Sequence, residues 1–129
     1  MDKTDFLEDT VLNHVLRNTA YTPSTTIEIA LFTTLPGEDA TGGVEVSGGS
    51  YARQTVTFGA PVSGTVSNTG AVTFPQATAN WGTVVGIGLY EDVGAGGNLL
   101  YFGSLATSKS VGTGDQISFA NGALTVSED

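Results

Sequence analysis

The hydrophobic pattern changes period once along the chain, near Pro23. Upstream of it, Leu7, Val11, Leu12, Val15 and Leu16 recur at three- and four-residue intervals, the spacing of one helical face. Residues 5–17 therefore read as an amphipathic helix. Asp5 with Glu8 three positions on has the form of a capping box in which Asp replaces Ser or Thr. The acids Asp5, Glu8 and Asp9 near its start and Arg17 near its end suit the helix dipole. Asn18 is a stop signal, and Pro23 forbids continuation.

Downstream the period is two. Residues 25–33 alternate, with Ile27, Ile29 and Leu31 on one side. Residues 35–50 follow as a long loop of glycines and acids. Such length in a compact domain points to a functional or a mobile segment. Residues 51–58 read as a strand, with Ala52, Val56 and Phe58 on one face and Tyr51, Arg53, Thr55 and Thr57 on the other. Short strands are expected at 64–67 and 71–74, and an interruption at 75–82 that carries the only tryptophan, Trp81. Residues 83–90 are apolar on both sides, as in a central strand. A turn at 94–97 returns the chain along 98–105. A final hairpin is expected from 115–119 and 124–127, because Asn121-Gly122 between alternating runs is a strong hairpin signal.

The pattern predicts a mainly β fold: a two-sheet sandwich or jelly-roll-like barrel of about eight strands with one N-terminal amphipathic helix. Residues 1–22 form a helical arm in this reading, and residues 23–129 the β-sandwich domain.

Composition narrows the function. Thirteen acids stand against four bases, a net charge of −9. Phosphate-backbone binding needs clustered Lys and Arg, so no nucleic-acid partner is expected. An anionic membrane surface is disfavoured for the same reason. No apolar run approaches the length of a membrane helix, and no basic segment precedes an apolar one as in a signal peptide. Cysteine is absent, which removes disulfides and thiolate metal sites.

Candidate chemistry is thin. His14, the only histidine, lies among apolar helix positions with no nucleophile motif near it, and reads as a structural or surface residue. The acids Glu38, Asp39, Glu45, Glu91, Asp92 and Asp115 form no calcium-loop pattern, and read as solvated turns. Glu91 and Asp92 are adjacent, so they point to opposite sides of a strand end rather than at one glycosidic bond. Gly86-Ile87-Gly88 lies inside a strand and opens no helix, unlike a dinucleotide fingerprint. No catalytic residue, metal or cofactor is expected. Tyr51, Trp81, Tyr90 and Tyr101 read as packing aromatics before sugar-stacking ones.

Several runs carry a resemblance: Leu12-Asn13-His14-Val15-Leu16-Arg17, Thr19-Ala20-Tyr21-Thr22-Pro23, Ala30-Leu31-Phe32-Thr33, Phe74-Pro75-Gln76-Ala77-Thr78-Ala79-Asn80-Trp81-Gly82 and Asn98-Leu99-Leu100-Tyr101. The most specific is Glu45-Val46-Ser47-Gly48-Gly49-Ser50-Tyr51-Ala52-Arg53-Gln54. Together they resemble a family of short virion structural proteins of tailed bacteriophages, commonly described as phage tail fibre proteins. The resemblance implies a virion location, other virion proteins as partners, and no enzymatic activity.

The expected role is a capsid decoration, or cement, subunit docking on the major capsid protein as a homo-oligomer. The alternative is a tail or tail-fibre component that binds a host receptor. The expected partner contacts are Leu12, Val15 and Leu16 on the helix, with Tyr51, Arg53 and Trp81 on the body. Arg53 is expected to pair with an acid such as Glu45, or with a neighbouring chain.

Overall fold

A computed structural model describes residues 1–91 and 97–128. In chain order its elements are β1 (Asp2–Lys3), α1 (Asp5–Leu16), β2 (Ile27–Thr34), β3 (Val44–Glu45) and β4 (Gln54–Val56). They continue with β5 (Thr65–Ser67), β6 (Val72–Thr73), β7 (Gly82–Glu91), β8 (Leu99–Val111), β9 (Ser118–Phe119) and β10 (Thr125–Ser127). The fold is mainly β with one N-terminal helix, as the change of period predicts.

The main sheet is antiparallel in the order β1-β8-β7-β2-β3, and β4 also pairs with β2. Its register explains the hydrophobic pattern. Ile29 stands opposite Leu89 and Leu31 opposite Ile87, so all four point to one face. Two small sheets, β5 with β10 and β6 with β9, cover that face. They contribute Val72, Phe74, Leu124 and Val126 to a core shared with Ile29, Leu31, Val84, Ile87 and Leu89. The arrangement is sandwich-like.

The opposite face of the main sheet is also partly covered. Ala30, Phe32, Leu99 and Phe102 are all buried. Gly88 makes this possible. A Cβ there would lie 2.7 Å from the Phe32 ring and 2.8 Å from Leu99. Only glycine lets these two side chains lie across the strand.

The helix departs from expectation at both ends of its sequence pattern. Its cap is Thr4, not Asp5. Thr4 is fully buried, and its hydroxyl donates to the Leu99 carbonyl at 2.7 Å while accepting from the Leu7 N–H at 3.4 Å. The Thr4 N–H donates to the Leu100 carbonyl. β1 precedes it, pairing Asp2 with Phe102 and Lys3 with Tyr101. The first turn is thereby bonded to β8, and Leu7 is the one buried side chain of the helix. Beyond that turn, among the described residues, no layer lies beneath the apolar face. Leu12, Val15 and Leu16 are 54%, 69% and 74% exposed.

The far end of the arm is also fixed. Asn18 adopts a left-handed φ of 55°, and the Thr19 N–H folds back to the Asn13 carbonyl. Four residues past the cap, at Tyr21, the chain returns to the body. The Tyr21 hydroxyl donates to the buried Glu91 carboxylate, which also accepts from Asn98 at 2.9 Å. Glu91 ends β7, and its N–H donates to the Asn98 carbonyl. Thr4 and Tyr21 therefore both land on the same end of the β7–β8 hairpin.

The expected C-terminal hairpin does not form. β9 pairs with β6 and β10 with β5. The turn at Asn121-Gly122 is present, with the Ala123 N–H on the Ala120 carbonyl. Buried Asn68 pulls its two arms apart. The Asn68 side chain donates to the carbonyls of Gly70 and Ala120 and accepts from the Leu124 N–H. Gly70 in turn donates to the Asn121 side chain. Two turns dock on each other, and each strand takes a partner outside its own hairpin. The 35–50 loop is also less bare than expected, since it contains β3. Most of the turn expected at residues 94–97 lies outside the described residues, as does Asp92.

Candidate functional site

Residues 44–54 gather the polar candidates in one place. Gly48, Gly49 and Ser50 take φ values of 74°, 58° and 67°, three successive left-handed residues that reverse the chain. The Tyr51 N–H closes the turn on the Gly48 carbonyl. Gly49 is required twice, because a Cβ there would lie 2.8 Å from the Trp81 indole nitrogen. The indole N–H donates to the Gly49 carbonyl at 2.9 Å. Trp81 is 5% exposed, so its ring is part of the core.

The reversal brings Tyr51 and Arg53 back to Glu45. Arg53 binds the Glu45 carboxylate through two parallel bonds of 2.9 Å, a bidentate fork. Its guanidinium also lies 3.7 Å from the centre of the Tyr90 ring. The Tyr51 hydroxyl donates to Glu45 at 2.7 Å and accepts from the Leu31 N–H at 3.0 Å. Its ring meets Trp81 edge-on and stacks near Phe74. The sequence pattern places Tyr51 on the same face of a strand as Arg53, opposite Val56 and Phe58. The structure starts that strand at Gln54 and turns Tyr51 inward. Burial foremost, then the Glu45 carboxylate, pushes the Tyr51 phenol far above its usual range. The bond to Glu45 raises Arg53 further. Tyr51, Arg53 and Trp81 thus form one cluster, and its bonds fasten the long loop to the sheet.

The other candidate acids have internal duties. Asp39 accepts from the backbone and side chain of Thr41, which lowers its pKa. Asp115 accepts from the Gly112 N–H. His14 is exposed, and its Nδ1 lies 3.3 Å from the Thr19 carbonyl at the helix end. The carboxylates of Asp5, Glu8 and Glu38 come within 4.8 Å of one another, a proximity that separate sequence segments do not reveal.

Leu12, Val15 and Leu16 lie far from this cluster in the chain and form a surface of another kind. On a helix, positions 12, 15 and 16 share one side. Together they expose a contiguous apolar strip.

A family model described as podophage GP4 fiber I protein gp80 matches residues 2–127. The chain belongs to that family. It is a bacteriophage structural fibre protein, and association with other virion proteins follows from that. No curated protein compared with the chain matches it. The gp80 match takes in the exposed helix as well as the sheets, so the arm is part of the family's common pattern. The run resembling phage tail fibre proteins at residues 45–54 is the same run that builds the Glu45–Arg53 turn of this gp80-family chain. Sequence reading missed Thr4, Tyr21 and Asn68. A threonine just before an acidic first helical turn signals a cap, and was the readable one of the three. Tyr21 and Asn68 act through residues 70 and 56 positions away in sequence, and give no local signal.

Proposed function

We propose that the chain is a non-enzymatic subunit of the tail fibre of a short-tailed phage, and that Leu12, Val15 and Leu16 are its assembly contact. The match of the fibre family over residues 2–127 carries this reading, and it favours the tail fibre over capsid decoration. The helix supports the second half. A helix bonded to its own sheet at the first turn, with its remaining apolar face open, has that face available for a neighbour. The Glu45–Arg53–Tyr51 cluster serves the body instead, holding the surface loop to the sheet.

The test uses phage particles carrying Leu12→Glu with Leu16→Glu. Quantitative mass spectrometry should show the subunit depleted from purified virions, while the isolated variant keeps wild-type thermal stability. Wild-type copy number in the variant particles would refute the assembly contact. Gold-labelled antibody decorating heads rather than tails would refute the fibre location.

A further inference from the structure

We propose that the helix of one copy docks in a groove of a second copy, between residues 105–109 of β8 and residues 116–119. This rests on the assembly role given to the helix above and names its partner.

The groove has a volume of about 490 Å³. Leu105, Ala106, Ile117 and Phe119 give it an apolar lining, and Lys109 stands on its rim. It lies between β8 of the main sheet and β9 of a small sheet. β1 covers β8 only at Tyr101 and Phe102, so among the described residues no strand pairs with the outer edge of β8 from Ser104 onward. β9 is bound on one side by β6. Open sheet edges in natural proteins are commonly covered by a helix or loop.

The same chain carries a helix that fits. Asp5, Glu8 and Asp9 precede Leu12, Val15 and Leu16 along one side, an acidic start running into an apolar end. The groove offers the complement, an apolar floor with a lysine. Lys109 is exposed and makes no ion pair among the described residues.

The helix does not fill its own groove, because Leu12, Val15 and Leu16 stay exposed. Its root is bonded to Leu99 and Leu100 at the start of β8, and Tyr21 returns the chain to Glu91 beside them. The groove begins six residues along β8, roughly 20 Å away at about 3.3 Å per residue. The helix root lies at the start of β8 and the groove lies farther along it, so a contact between two copies uses two different surfaces. Repetition of such a contact closes a ring or extends a line of copies.

The chain has no cysteine, so engineered ones report cleanly. Leu16→Cys protein is mixed with Ala106→Cys protein and oxidised. A mixed disulfide dimer is expected, well above the dimer formed by either variant alone. Light scattering should show wild-type self-association, weakened several-fold by Lys109→Glu and restored when Asp9→Lys is added. Absence of the mixed dimer, together with indifference to Lys109→Glu, would overturn the groove assignment. If Leu12→Glu with Leu16→Glu still depletes the subunit from virions in that case, the helix is an assembly contact for a different protein. A wild-type chain that stays monomeric at every concentration overturns the self-docking itself.

Discussion

The Tyr51 hydroxyl donates to the Glu45 carboxylate at 2.7 Å while accepting from the Leu31 N–H, and so joins the surface loop to the buried middle of β2. One oxygen thus answers for a backbone donor in the sheet and a side-chain acceptor in the loop. Removing it separates the two.

Tyr51→Phe keeps the ring against Trp81 and Phe74 and deletes that oxygen. The Leu31 N–H loses its side-chain partner, at a cost of about 1–3 kcal/mol. Urea denaturation should show a lower midpoint with an unchanged slope. An unshifted midpoint would mean that water replaces the hydroxyl.

The same phenols make the fold sensitive to alkali. Burial, with help from Glu91, pushes Tyr21 up to about 12, and Tyr51 lies higher still. Unfolded tyrosine titrates near about 10. The folded state therefore holds these protons more tightly. Their contribution is complete below about pH 10 and is lost as pH rises through the folded values. Stability measured against pH should fall above about pH 10, and less steeply in Tyr21→Phe. A flat profile through that range would contradict the placement of both hydroxyls.

Arg53→Lys preserves charge but neither the fork on Glu45 nor the planar contact with Tyr90. The pair is partly exposed, so the expected loss is only about 1 kcal/mol. A double-mutant cycle with Glu45→Gln should return a coupling of that order. Zero coupling would show the ion pair to be geometric only.

Gly88→Ala tests the back of the sheet. The added methyl meets Phe32 and Leu99 well inside contact distance. Overpacking of this kind costs about 1–3 kcal/mol, and calorimetry should find a lowered Tm. Leu16→Ser, at an exposed position, should leave Tm in place.

The sequence was informative where one element determines its own surroundings. Alternation of Ile27, Ile29 and Leu31 locates β2 and its inner face, because a strand buried on that side must repeat every second residue. The helix is legible for the same reason. Its uncovered end is not, since coverage depends on β1 and Thr4 binding β8 nearly a hundred residues away. Asn121-Gly122 announces a turn and says nothing of the strands beside it. Strands of two or three residues carry too little pattern to choose a partner, and Asn68 chooses for them. At the candidate site, Glu45 was legible only as one possible partner of Arg53 beside a neighbouring chain, and the reversal at Gly48, Gly49 and Ser50 is what joins them. The groove was not, since it is built from two segments, residues 105–109 and 116–119, that belong to different sheets.

An arm fixed at one point can swivel about it in every direction. The arm of this chain stands on two feet, Thr4 on Leu99 and Leu100, and Tyr21 on Glu91, side by side at one hairpin end. These footings, with the bond from the Asp5 N–H to the Glu38 carbonyl, remove that freedom, and a pull on Leu16 divides among them.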